Sequence, residues 1–258
     1  MRTTSAAIAC ALIGAGLASN ARSAELTVTI ESLAPTGGTF LAPFWFGFHD
    51  GSFDLFDPGS AAAGHIERLA EDGAVDPLRT AFANASGQFR DGTIAGLGGA
   101  FAGPLDPGEI ASTTITVDAT NGRWFSYAAM LVPSNDAFIG NANPLAHEAF
   151  DVNGNFNPFS FIVLGSQVWD AGTEMNDEVP ANTAFFGQST PDTGVDENGV
   201  VHAHPGFIPG GAILSDPMFA NADFTASGYQ VLRVTVVPTP GVGALLALGG
   251  LAGARRRR

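Results

Sequence analysis

Short runs of β-forming residues, separated by glycine and proline, constrain the fold of this chain more than any other feature. The 258 residues include 33 glycines and 16 prolines, which interrupt helices and mark turns. Two runs, residues 26–30 and 113–117, alternate apolar and polar residues, as strands with one buried face do. Three further runs are dense in β-forming residues, at 125–132, 159–164 and 230–236. The pattern predicts an all-β fold.

Helical patterns occur only near residues 62–85. Segments 62–71 and 77–85 each place a few apolar residues at helical spacing, and Asp72-Gly73 between them is typical of a helix end. A region of roughly 210 residues is ample for one β-sandwich domain. We therefore predict a single antiparallel β-sandwich over residues 25–237, with a short helical excursion near residues 62–85.

The first 24 residues have the composition of a secretory signal peptide. Arg2 precedes an apolar run from residue 6 to residue 17, and Ser19-Asn20-Ala21 and then Ala24 follow it. Cleavage after Ala21, with Ser19 three residues before the new end, fits a small-x-small site better than cleavage after Ala24. These features predict export.

The last 21 residues, 238–258, consist of a proline motif, an apolar run over 241–254 and four arginines. Fourteen helical residues span only about 21 Å, less than the roughly 30 Å hydrocarbon core of a bilayer. This tail resembles the PEP-CTERM sorting signal of bacterial surface proteins, although Thr239 stands where that family usually has Glu. The resemblance implies processing by an exosortase-type enzyme and transient membrane association through residues 241–254. An ordinary C-terminal membrane anchor, with a transmembrane helix, is the alternative.

The region between the two predicted targeting segments is strongly acidic and contains no cysteine. All 25 acidic residues lie there with only five of the 11 arginines, and the chain has no lysine, so the net charge of this region is −20. Such a charge disfavours binding to nucleic acid and attracts cations, of which extracellular fluid supplies calcium. Solubility is an alternative explanation for most of the carboxylates.

Three segments, in order, resemble the spondin domain, the N-terminal module of F-spondin and mindin matrix proteins. They are FWFGFHDGSFDLFDPGSAAAGHIERLAEDGAVDPLRTAF at 44–82, LVPSNDAFIG at 131–140 and VWDAGTE at 168–174. The resemblance extends over roughly residues 26–236. It implies an antiparallel sandwich related to the C2 domain, with a calcium ion bound among loops at one end.

Carboxylates stand at the two later matching segments, each after a predicted strand. Asp136 follows the run 125–132, whereas Asp170 and Glu174 follow the run ending at Trp169. Calcium takes six to eight oxygen ligands from such loops, so Asp136, Asp170 and Glu174 are the predicted ligands. Asp118 is added only because it also follows a strand. Each residue considered alone is also compatible with a solvated loop or a turn.

Two other metal motifs are weaker. The segment Asp151-Val152-Asn153-Gly154-Asn155 begins like an EF-hand loop, but its glycine is at the fourth position and no Glu occupies the twelfth, so we interpret it as a hairpin turn. His202 and His204 would share one face of a strand and could bind zinc. Hydrogen-bonding roles are the favoured interpretation of these histidines.

No catalytic motif is present in the region expected to be exported: it has no G-x-S-x-G elbow, no cysteine nucleophile and no lysine. We therefore predict a non-catalytic adhesion module of the cell surface or extracellular matrix, stabilised by calcium, that binds an extracellular polysaccharide or a surface protein. The alternatives are a secreted metal-dependent hydrolase acting on matrix polymer and a purely structural matrix protein.

Overall fold

The computed structural model describes residues 23–98 and 103–240. The strands are β1 Ser23–Ser32, β2 Phe40–Leu41, β3 Phe44–His49, β4 Arg90–Ile94, β5 Ile110–Asp118, β6 Trp124–Val132, β7 Ala137–Gly140, β8 Phe159–Leu164, β9 Val168–Asp170, β10 His202–Ala203 and β11 Gln230–Pro238. The helices are α1 Gly64–Asp72, α2 Asp76–Ala85 and α3 Ala212–Ser215, and a 3₁₀ turn covers Gly165–Gln167.

The strands form two antiparallel sheets, which confirms the predicted β-sandwich with a short helical excursion. One sheet has four strands in the order β5-β1-β11-β8, and the other has seven, with β10-β9-β7-β6-β3-β4 in order and β2 paired to β6. β1 shows the predicted alternation, because Leu26, Val28 and Ile30 are fully buried while the residues between them are partly exposed. Alternate residues of a strand face opposite sides of the sheet, so these three residues point into the sandwich.

A second apolar core lies on the outer face of the seven-stranded sheet, where α1 and α2 pack. All six residues of β3 are buried, because this strand is covered on both faces. Phe46 belongs to the core between the sheets, whereas Trp45 belongs to the core under the helices. The ring of Trp45 meets that of Phe82 from α2 edge to face, with centroids 5.1 Å apart. Burial on both faces explains why this segment shows no polar alternation.

The predicted turns are present. Gly73 ends α1 in the left-handed conformation, with φ of 64°, and its N–H donates to the carbonyl groups of the last turn. Phe150 and Phe156 form an antiparallel bridge around the segment that begins like an EF-hand loop. Within it, the Asp151 carboxylate accepts N–H groups from Asn153 and Asn155, so its oxygens stabilise a turn, as the sequence predicts.

The two ends of the described region lie side by side. In the four-stranded sheet Leu26 pairs with Pro238, and the Thr239 N–H donates to the Glu25 carbonyl over 2.9 Å. The first and the last described residues therefore lie at the same end of the sandwich.

The predicted targeting segments are mostly outside the described region. Residues 1–22 and the apolar run with its arginines, 241–258, are not described. β1 begins at Ser23, so cleavage after Ala21 would leave this strand whole, whereas cleavage after Ala24 would remove its first two residues. Across 23–98 and 103–240, no helix has the length and apolarity needed to span a bilayer.

His49, at the end of β3, is fully buried and neutral. Its Nδ1 accepts the Gly51 N–H over 3.0 Å, so Nε2 carries the proton and donates to Ser126 Oγ over 2.9 Å. Burial lowers the pKa of His49 from 6.5 to about 4, against a smaller opposing effect of Asp50. Because the folded pKa is depressed, the stability linked to neutral His49 is complete above pH 6.5 and is lost as the pH falls toward 4.

We expect the His49→Gln variant to be less sensitive to acid than the wild type. Between about pH 7 and pH 4.5, the wild-type free energy of unfolding should fall by about 2–3 kcal/mol more than that of the variant, since only the wild type must protonate this site on unfolding. Urea unfolding at both pH values measures the difference. Equal pH dependence of the two proteins would contradict a neutral, buried His49.

Candidate metal centre

Asp136 and Asp170 lie next to each other because their strands are neighbours. Asp136 immediately precedes β7, and Asp170 ends β9. These strands pair antiparallel with Ala137 opposite Asp170. Both aspartates are 0% exposed. The structure thus brings together two of the four predicted ligands, and we call them the buried aspartate pair.

The two carboxylates of the pair differ in how their oxygens are satisfied. Asp136 Oδ2 accepts the backbone N–H groups of Thr173 and Glu174 over 2.9 and 3.1 Å. Asp136 Oδ1 is buried and has no hydrogen-bond partner in the described structure. Asp170 accepts the Gly172 N–H over 2.8 Å at Oδ1 and the Asn176 side-chain amide over 2.6 Å at Oδ2. One carboxylate oxygen is therefore left without a donor, beside a second buried carboxylate.

The electrostatic cost of this arrangement appears in the pKa of Asp136. Burial, and next the nearby Asp170 carboxylate, raise the pKa of Asp136 from 3.8 to about 7, against the effect of the two N–H groups that it accepts. A positive charge at this position would remove the repulsion and restore the ionised form. The pair therefore has the chemistry of a cation site.

His204 completes a buried group with the aspartate pair. One ligand atom each from Asp136, Asp170 and His204 lies within 4.8 Å of the other two. His204 Nδ1 accepts the Gly206 N–H, so its Nε2 donates to Asn176 Oδ1 over 3.0 Å. Asn176 in turn donates to Asp170. His204 thus orients Asp170 through Asn176, in keeping with the hydrogen-bonding role favoured by the sequence.

His202 also approaches Asp170 but is placed differently. Its Nδ1 lies 3.8 Å from Asp170 Oδ1, and its side chain is 45% exposed. The same nitrogen is hydrogen-bonded to the Val200 carbonyl over 2.9 Å. Of the two histidines in the zinc hypothesis, only His204 belongs to the buried group.

Glu174 lies between the buried aspartate pair and an acidic cleft. Its N–H donates to Asp136, but its carboxylate lines a cleft of about 250 Å³ between α1 and the loop that follows β9. Burial, then Glu71, then Asp136 raise the pKa of Glu174 from 4.5 to about 8. The third predicted ligand is thus adjacent to the pair, with its side chain on the cleft side.

The acidic cleft is defined by five carboxylates and by small residues. The carboxylates are those of Glu67, Glu71, Glu174, Asp192 and Asp196. Its other lining residues are Ala61, Ala62, Gly172, Thr173, Gly194, Asn198 and Gly199. Burial, with further contributions from nearby acidic groups, raises the pKa of Glu71 from 4.5 to about 7. Arg68 forms ion pairs with Glu71, Asp72 and Asp192 at one side of the cleft.

The structure does not bring Asp118 to this site. Asp118 ends β5 opposite Ser23, close to the turn that leads into the start of β6 at Trp124. Asp136 lies beyond the other end of β6. The Asp118 carboxylate accepts the Thr120 N–H over 2.7 Å, as in a turn.

Sequence reasoning missed Asn176 and Glu71 as members of this region, and it considered His204 only as a possible zinc ligand together with His202. A scan against protein-family models and a search of curated proteins found no match to this chain. The resemblances to the spondin domain and to the PEP-CTERM tail therefore stay predictions based on the sequence segments given above.

Proposed function

We propose that this chain is an exported binding module of the cell surface or extracellular matrix, without catalytic activity, whose loops are stabilised by calcium. The observation that carries the calcium proposal is the buried Asp136 Oδ1, which has no hydrogen-bond partner and lies beside the second buried carboxylate, Asp170. Unpaired buried charges are costly, and bound metal is a common compensation.

The residues present fit calcium. The site offers carboxylate oxygens from Asp136 and Asp170, with Glu174 next to them on the cleft side, and calcium prefers oxygen ligands on loops. A bound ion would supply positive charge that fixes the loops after β6 and β9. The nitrogen of His204 already donates to Asn176, which favours an oxygen-binding metal over zinc.

Burial supports a stabilising role for the metal over a catalytic one. Asp136 and Asp170 are 0% exposed, and the His204 side chain is 1% exposed. A hydrolase needs a metal with an open position for water and substrate, and these side chains present no such face. The partner would be an extracellular polysaccharide or a surface protein.

The C-terminal sorting tail belongs to the same proposal. The described chain ends beside β1, at the end of the sandwich opposite the buried aspartate pair. A chain held at the membrane by residues 241–254, until an exosortase-type enzyme acts, would therefore present its acidic loops away from the membrane. This geometry supports a binding role for that end.

Calorimetric titration of the purified chain with calcium tests the proposal. We expect binding in the range of about 10⁻⁴–10⁻³ M, as in other extracellular calcium modules. Asp170→Asn should abolish this binding because it removes one charge of the pair. Asp118→Asn is the matched control and should bind calcium like the wild type, since Asp118 lies at the opposite end of the sandwich. Absence of wild-type binding at about 10 mM calcium would overturn the calcium proposal.

A further inference from the structure

More carboxylates line the acidic cleft than the basic side chains of the described residues pair with. Five carboxylates line it, and its lining contains no arginine, lysine or histidine. Arg68, at one side, is shared among three carboxylates. For Glu67 and Asp196 the described structure shows no ion pair with a basic side chain.

The Glu174 carboxylate in the cleft has an unsatisfied oxygen, which indicates that the cleft binds a ligand. Glu174 is only 3% exposed, and its Oε2 is buried without a hydrogen-bond partner in the described structure. A buried carboxylate oxygen normally accepts at least one hydrogen bond. Glu174 also lines the cleft, so a donor placed in the cleft could satisfy it.

The size and the walls of the cleft indicate what kind of donor fits. Its volume of about 250 Å³ is below the roughly 300–1,000 Å³ of pockets for drug-sized ligands. Alanines and glycines, Ala61, Ala62, Gly172, Gly194 and Gly199, form much of the wall, so a narrow side chain can enter between backbone segments. A bare metal ion would leave most of this space to water.

The protein itself shows that the rim of the cleft suits an organic cation. The guanidinium of Arg68 lies 3.6 Å from Glu71 Oε2 and 3.4 Å from Asp192 Oδ2. Both distances are within the 4 Å limit for an ion pair between a cation and a carboxylate. Glu67, Glu174 and Asp196 also line the cleft and offer further acceptors of the same kind, and a carboxylate oxygen of Glu67 lies within 4.8 Å of those of Glu71 and Asp192.

We infer that the acidic cleft is the partner-binding site of the module and that it accepts a lysine or arginine side chain of a partner protein. The inference rests on the proposed role as a binding module, and it does not require the calcium ion. The ammonium or guanidinium group would donate to Glu174 and to the acids around it, while the aliphatic part of the side chain lies between Ala61, Ala62 and the glycines.

Nuclear magnetic resonance of the full chain with Nα-acetyl-lysine amide as the probe tests this inference. We expect saturable shifts centred on the backbone amides of Gly172, Gly194 and Gly199, which line the cleft. Nα-acetyl-arginine amide should give the same pattern. The matched probe with an acetylated Nε, which has no charge, should bind at least about tenfold more weakly, a difference of about 1.4 kcal/mol.

Two double variants locate the binding. Glu67→Gln with Asp196→Asn removes two cleft charges, neither of them an ion-pair partner of Arg68, and should weaken lysine binding at least about tenfold. The control, Asp54→Asn with Asp57→Asn, removes two charges from exposed positions that do not line the cleft. It should change affinity less than about twofold, because neither carboxylate belongs to the cleft lining and single exposed charges contribute little.

Three results would overturn the inference: no saturable binding of either probe, shifts spread evenly over the acidic surface, or equal weakening by both double variants. Repeating the titration with calcium and with a chelator separates this inference from the calcium proposal. Lysine binding at the cleft in a protein that binds no calcium would leave the inference standing. Calcium binding without lysine binding would leave only the metal site.

Discussion

Asp136→Asn is expected to melt at a higher temperature than the wild type in a calcium chelator, and to lose the stabilisation that calcium gives the wild type. The pKa of Asp136 is raised from 3.8 to about 7, so between these values the folded protein binds more protons than the unfolded chain. Its stability therefore decreases as the pH rises through this window, and the wild type carries that cost at neutral pH.

Asparagine suits the calcium-free site. Its side-chain oxygen can accept the N–H groups of Thr173 and Glu174 that Asp136 Oδ2 now accepts. Its amide nitrogen would take the place of the oxygen that has no partner, next to the Asp170 carboxylate. We expect a gain of about 1–2 kcal/mol in the chelator, which corresponds to about 2–8 °C in melting temperature.

The order of the two proteins should reverse in calcium. At a calcium concentration of about 100 times Kd, the wild type gains about 2.7 kcal/mol from binding, whereas the variant gains little. Melting curves in chelator and in calcium measure both effects. Asp216→Asn is the matched control, because the Asp216 carboxylate accepts an N–H in an exposed turn; its curves should follow those of the wild type. If Asp136→Asn were less stable than the wild type both in chelator and in calcium, the aspartate pair would not be repulsive in the absence of metal, and the prediction would be wrong.

Gly172→Ala is expected to destabilise the domain strongly and to weaken calcium binding. Gly172 has a left-handed φ of 69°, and a Cβ there would lie 2.6 Å from backbone atoms of Val200. The clash would separate the loop after β9 from the segment before β10. The same residue donates to Asp170 and accepts from the Gly199 N–H, so any displacement changes the aspartate pair.

The matched control for this variant is Gly210→Ala. Gly210 has nearly the same φ, 70°, but a Cβ there would meet no atom within 4 Å. Gly210→Ala should cost about 1 kcal/mol from the backbone conformation alone, whereas Gly172→Ala should cost at least about 3 kcal/mol because steric conflict is added. Urea unfolding and calcium titration measure both. Equal losses in the two variants would show that the loop at Gly172 can move without cost.

The sequence predicted the aspartate pair because strand ends that pair in one sheet bring their loops together. Asp136 and Asp170 each stand at the end of a recognisable β-run, and β7 and β9 are neighbours. The same rule fails for Asp118, since β5 ends where β6 begins. β6 carries the chain from one end of the sandwich to the other, so the residues before and after it lie at opposite ends.

His204, Asn176 and Glu71 could not be predicted in the same way. Asn176 lies on the long irregular segment between β9 and β10, and His204 follows β10 directly; no periodicity indicates where such a segment returns. Glu71 is on the buried side of α1, and its spacing from Glu67 suggests a solvated surface. Glu71 is buried because α1 packs against the seven-stranded sheet. This packing cannot be predicted from the sequence alone.

The position of β11 also affects when this domain can fold. β11 is the last strand that the structure describes, yet it lies inside the four-stranded sheet, between β1 and β8. β1, the first described strand, is joined to β8 only through β11, which pairs with both. Sheet pairing between distant segments requires both to be present, so this sheet cannot form completely before β11 is available. During synthesis the four-stranded sheet therefore stays incomplete until residues 230–238 have been made. The sandwich is completed only when this segment pairs with β1 and β8.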